Sequence, residues 1–113
     1  MSEKPRRTDL HIESFRLLGK GWHFGEGDAY DESIIQRALV LCHEAVRLGF
    51  DKTNAFPGLS GEVVFCVYML PHYYEFDVET DGTINYLHEI NDDEMEELLG
   101  ISDERALAIL AAL

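Results

Sequence analysis

No apolar run in this chain approaches the roughly 20 residues that a membrane-spanning helix needs. The basic start, Met-Ser-Glu-Lys-Pro-Arg-Arg-Thr-Asp, has no apolar stretch behind it, so it does not read as a signal peptide. Cysteine is scarce: Cys42 and Cys66 are the only two. Both sit inside apolar periodic segments, where a cysteine reads as a small buried hydrophobe rather than half a disulfide or a nucleophile. A cytoplasmic location is expected on these grounds.

Basic residues are also few. Nine Lys and Arg stand against 22 Asp and Glu, a net charge of -13. The balance is uneven. Residues 1–20 carry Lys4, Arg6, Arg7, Arg16 and Lys20 against Glu3, Asp9 and Glu13; the remainder has only Arg37, Arg47, Lys52 and Arg105 against every other acid. A body this acidic repels phosphate and attracts basic surfaces. It argues against ordinary nucleic-acid binding, whose affinity comes mainly from Lys and Arg on phosphate.

Catalytic motifs are missing as well. His11, His23, His43, His72 and His88 form neither HExxH nor a Cys/His zinc spacing. No nucleophile elbow appears, and no carboxyl is visibly set in an apolar pocket. No catalytic residue, metal or cofactor is assigned; a small enzyme or metal protein built around Trp22, His23 and the other histidines is a third-ranked alternative.

What the chain does contain is one domain of α+β character over residues 10–113, preceded by a disordered basic arm at 1–9. Leu10–Leu18 reads equally as a strand or a helical turn. In 19–27, Gly-Lys-Gly-Trp-His-Phe-Gly-Glu-Gly, four glycines surround Trp22 and Phe24. With no Walker or GxGxxG pattern, this reads as a structural loop whose aromatics plug the core, with Trp22 and His23 as its contact residues. Ile34, Ile35, Ala38, Leu39, Cys42, Ala45 and Val46 recur at helical spacing, predicting an amphipathic helix over about 32–48. Asp28 or Asp31 is the expected cap, and Gly49-Phe50 the expected stop. Asp51–Ser60 reads as a loop.

The strands follow. Residues 62–70 are apolar on both faces, as in a strand that is central in its sheet or covered on both sides. In 73–79, Tyr74, Phe76 and Val78 alternate with Glu75, Asp77 and Glu79, placing these acids in water. Asp81-Gly82 predicts a type I′ hairpin leading to a strand over 83–89, with Ile84 opposite Val78 and Tyr86 opposite Phe76. Acidic residues 92–99 and then 103–112 read as a pair of helices. The expected fold is therefore a three-stranded antiparallel β-meander covered by one amphipathic helix, with a C-terminal helical pair. The second sheet face then needs either a further helix or a second copy of the chain, which makes a homodimer one arrangement.

Two resemblances add to this. Gly100, Ile101, Ala106 and Ile109, with Ser102 at the second glycine position, resemble a helix-hairpin-helix. That implies nucleic-acid binding as an alternative function, although Asp103 and Glu104 crowd the hairpin and Arg105 alone opposes them. Gly21, Trp22, Gly25 and Gly27, followed by one helix, strands and an Asp-Gly hairpin, resemble a group of small uncharacterised bacterial proteins. That resemblance implies layout and bacterial origin, and no chemistry.

The leading expectation is an acidic binding module that regulates or inhibits a basic, nucleic-acid-acting partner, as an antitoxin, immunity protein or phage-type inhibitor does. Glu75, Asp77, Glu79, Asp92, Asp93, Glu94, Glu96 and Glu97 would meet the partner, in the strongest version as a mimic of DNA phosphates.

Overall fold

The helical run near the middle of the chain forms α2, Glu32–Arg47. Its apolar positions Ile34, Ile35, Ala38, Leu41, Cys42 and Ala45 are all buried. Burying side chains such as Ile35 or Leu41 contributes about 1.5–3 kcal/mol each. Asp31 takes the N-cap position without a side-chain cap bond. At the other end Gly49 adopts φ 93°, and the amides of Gly49 and Phe50 donate to the carbonyls of Val46 and Ala45. This is the Schellman stop that a glycine at C′ permits.

The computed structural model describes residues 7–113. The arm expected at 1–9 lies outside the described residues except for its end, because Thr8 and Asp9 begin a helix, α1, Thr8–Ser14. A 3-10 turn, Phe15–Leu17, continues it, so the ambiguous segment is helical. Ile12 and Phe15 seat it in the core, and the Thr8 and Thr53 hydroxyls meet at 2.8 Å.

The sheet corrects the three-stranded expectation. It has five antiparallel strands in the order β1-β2-β3-β4-β5: Thr53–Pro57, Val63–Met69, His72–Val78, Ile84–Ile90 and Asp93–Ile101. β1 lies in the stretch read as a loop. Its Thr53 and Ala55 point inward opposite Val67 and Phe65, and Pro57 is tolerated because β1 is an edge strand. β5 occupies what was read as an acidic helix. Asn91 and Asp92 take φ 50° and 69°, forming a two-residue turn between paired Ile90 and Asp93, instead of capping a helix. The helix propensity of Glu94, Glu96 and Glu97 yields to pairing with β4. The C-terminal helical pair is thus one strand and one helix, α3, Asp103–Ala112, and the segment read as a helix-hairpin-helix contains only the second helix.

The β3–β4 register is as expected, with Val78 opposite Ile84 and Phe76 opposite Tyr86. The turn is not type I′. Only Gly82 has positive φ, 91°, and the Glu79 amide donates to the Thr83 carbonyl at 2.9 Å. Asp81 instead uses its carboxylate to accept from the Thr83 amide and hydroxyl.

All three helices bury their apolar residues in one cluster, against Val63, Phe65, Val67, Tyr74, Phe76, Val78, Ile84, Tyr86 and Ile101. Arg37 of α2 ties the layers together. Its guanidinium forks onto Asp103 of α3 and donates to the carbonyls of Glu79 and Thr83 in the β3–β4 turn. Among the described residues, no helix lies on the opposite sheet face.

Candidate functional site

Strand alternation decides what the open face displays. β2 contributes Val64, Cys66 and Tyr68; β3 contributes Tyr73, Glu75 and Asp77; β4 contributes Asn85, Leu87 and Glu89. β5 adds Glu97 opposite Leu87 and Glu94 opposite Glu89. Cys42 belongs to the core under the helices, whereas Cys66 is buried on this other face, outside that core.

A hydrogen-bond chain runs across β2 and β3. The Tyr73 hydroxyl donates to Glu75 Oε1 at 2.7 Å and lies 3.1 Å from Cys66 Sγ. Because the phenol proton goes to Glu75, the thiol is the donor to Tyr73. Burial pushes the Cys66 thiol up to about 11 and, together with Cys66 and Glu75, raises the Tyr73 phenol further still. Neither is a ready nucleophile at neutral pH.

Asp77 corrects the expectation that every acid on β3 faces water. It is half-buried, and its Oδ1 has no hydrogen-bond partner. Asn85, directly opposite, is already used: its amide donates to Glu79 Oε1 at 3.3 Å and its carbonyl oxygen accepts from the Gly100 amide at 2.9 Å. Burial first, and the neighbouring Glu75 second, push the Asp77 carboxyl up to about 8. The carboxyl thus resists ionisation, in a pair with Glu75. Burial also raises Glu79, reinforced by Glu62 and Asp81.

At the end of this face, beneath the β2–β3 and β4–β5 turns, lies an open cavity of about 460 Å³. Tyr68, His72, Tyr73, Glu75, Glu89 and Asp92 are among its walls, and among the described residues neither lysine nor arginine lines it. The Tyr68 and Tyr73 rings stand 5.5 Å apart at 50°. Asp77 is not among the lining residues, so this carboxyl does not open onto the space. Arrangement and chemistry suit holding a positive group better than transferring a proton. A smaller gap between α2 and α3, about 140 Å³, is lined by Val40, Leu41, Ile84 and Leu107 beside Arg37, whose donors are already engaged.

Comparison of the chain with protein-family models, curated proteins and solved structures found no significant match.

The expected site residues divide between places. Glu75 and Asp77 share β3, Glu79 begins the turn that follows it, and Asp92 joins Glu75 at the cavity. Glu94 and Glu97 face the open side, while Asp93 and Glu96 pair with Ile90 and His88 on the other. Trp22 and His23 are at the far end of the sheet, since Asp28 of their loop bonds Leu59 in the β1–β2 turn. Trp22 lies half-buried over Gly27, its indole donating to the Asp28 carbonyl at 3.0 Å. Phe24 does not plug the core: His23 and Glu26 pair in a miniature hairpin whose tip is Phe24, 96% exposed. The sequence reading missed Tyr68, Tyr73 and Glu89. Their signal was the alternation itself, carried through 62–70 and 83–89 onto one face. Among the described residues, no three His, Cys, Asp or Glu are grouped to hold a metal ion, and no helix is long and apolar enough to cross a membrane.

Proposed function

We propose that this protein is a binding module whose helix-free sheet face docks on a basic surface of a partner protein and thereby regulates or blocks it. The observation that carries the reading is the composition of that face: apolar and aromatic groups (Phe56, Val64, Tyr68, Leu87) interleaved with Glu75, Glu89, Glu94 and Glu97. Four arginines spend their ion pairs elsewhere: Arg7 on Asp9, Arg16 on Glu32, Arg37 on Asp103 and Arg47 on Glu44. The net charge of -13 makes a basic partner the electrostatic complement. A second copy of this chain is a poorer occupant, because a shared face would set these acids against their own kind.

Asp77, half-buried and resisting ionisation, is a poor stand-in for a phosphate, so the charge presented comes from Glu75, Glu89, Asp92, Glu94 and Glu97. The test is capture from native extract on untagged protein at low salt, followed by a salt gradient. The reading expects a basic protein released at moderate salt, and its loss when Glu89, Glu94 and Glu97 become Gln. Neutralising Glu13, Glu44 and Glu104, away from this face, is the control and leaves capture intact. Capture indifferent to salt, or equally weakened by both triple variants, overturns the reading.

A further inference from the structure

The cavity at the end of the open face narrows the partner's chemistry, on the footing that the docking reading holds. Its walls combine two tilted phenol rings with carboxyl groups from three separate places: Glu75 on β3, Glu89 on β4 and Asp92 in the β4–β5 turn. An anion is repelled by such a lining. A metal ion lacks a converging set of ligands, as no three of these groups are gathered around one point. An apolar side chain would bury carboxylates without compensation. A flat cation meets every element of the lining, because it stacks on an aromatic face and offers paired N–H donors to a carboxylate. At about 460 Å³ the space lies within the size range of small-ligand sites.

We infer that this cavity seats a single arginine side chain of the partner, its guanidinium against the Tyr68 and Tyr73 rings and forked onto a carboxylate of Glu89 or Asp92. Glu75 is the less available of the acids, since it already accepts from the Tyr73 hydroxyl. Arginine is chosen over lysine because the compact ammonium keeps its water and does not stack. The arginine is then the anchor around which the wider acidic face closes, as buried aromatic and arginine contacts commonly are.

The probe is Nα-acetyl-arginine amide, titrated into the full chain with the tyrosine ring and backbone amide resonances followed by NMR. Expected are saturable shifts centred on Tyr68, Tyr73, Glu89 and Asp92. Nα-acetyl-lysine amide binds more weakly, and the neutral citrulline analogue does not bind. Tyr68→Leu weakens the arginine amide about five-fold and Glu89→Gln about three-fold, each with an otherwise unchanged amide spectrum as proof of folding. Absence of saturation, equal binding of citrulline or lysine, or shifts centred elsewhere overturns the assignment. Such a failure with salt-dependent capture intact leaves the docking reading standing. Saturation by the amide with no capture overturns the docking reading, and with it the arginine's assignment to a protein partner.

Discussion

His72 Nδ1 lies 2.9 Å from His88 Nε2, with the ring planes within 17° of each other and the centroids 5.2 Å apart. The centroid separation exceeds the N···N distance by about one ring width, so the bond lies along the line joining the rings. One imidazole donates and the other accepts, tying β3 to β4 at the cavity's edge. Tyr74 adds a stack on His88 at 4.5 Å. His88→Phe keeps the stack and removes the bond, and is expected to cost about 1 kcal/mol. His88→Ala loses both, costing about 1 kcal/mol more. Urea unfolding of the two variants and the native chain separates the two; equal costs mean that the stack contributes nothing, and a His88→Phe variant as stable as the native chain means that the bond contributes nothing.

Asp77 makes stability depend on pH. Its folded carboxyl is raised from 3.8 to about 8 by burial and by Glu75. For a group raised in the folded state, stability is fully present below the unfolded value and is lost as pH rises through the folded one. The melting temperature is therefore expected to fall from about pH 4 to about pH 8 and then to level off, because over that range the folded state keeps a proton that the unfolded chain has released. Asp77→Asn, a neutral isostere, flattens that fall and is the more stable protein above about pH 8, by about 1 kcal/mol or more. Parallel melting curves across this range count against the buried proton.

The Trp22 loop rests on Gly27. Its φ is 103°, and a Cβ there would meet the indole nitrogen at 2.5 Å. Gly27→Ala is expected to displace Trp22, shift its fluorescence toward that of an exposed indole, and cost about 1–3 kcal/mol. Phe24→Ser, at the exposed tip, stays within about 0.5 kcal/mol of the native chain. A large loss for Phe24→Ser contradicts its exposure.

Arg37 holds three elements through one guanidinium. Hydrogen bonding to Asp103, the largest cause, raises its pKa against the opposing effect of burial. Arg37→Met leaves the Asp103 carboxylate and two turn carbonyls without this donor, and is expected to cost about 2–4 kcal/mol in chemical denaturation. Arg37→Lys recovers only part, because an ammonium cannot span both bonding directions.

Where local chemistry and tertiary packing agree, the chain is readable. Ile34 to Ala45 repeats at helical spacing, and Gly49-Phe50 stops it; both are local facts. Val78 opposite Ile84 follows from alternation on either side of a turn. Glu94, Glu96 and Glu97 mislead because their intrinsic preference is helical, while their strand conformation depends on β4, with which they pair through two register shifts. Thr53–Pro57 is too short, and too rich in turn residues, to announce itself before β2 is in place. The acids on β3 were legible as a face. The burial of Asp77 was not, because Val64, Glu75 and Asn85 enclose it only once three strands are side by side.

The strand order has a consequence for what the sheet refuses. On one side it ends in β1, five residues long and closed by Pro57, which has no amide hydrogen to offer an incoming strand. On the other it ends in β5, where Asp93, Glu94, Glu96 and Glu97 all stand exposed. A strand from a like molecule arriving at that border meets a row of its own charge. The protein can thus leave a broad sheet surface open for recognition without offering either border as a template for fibre growth.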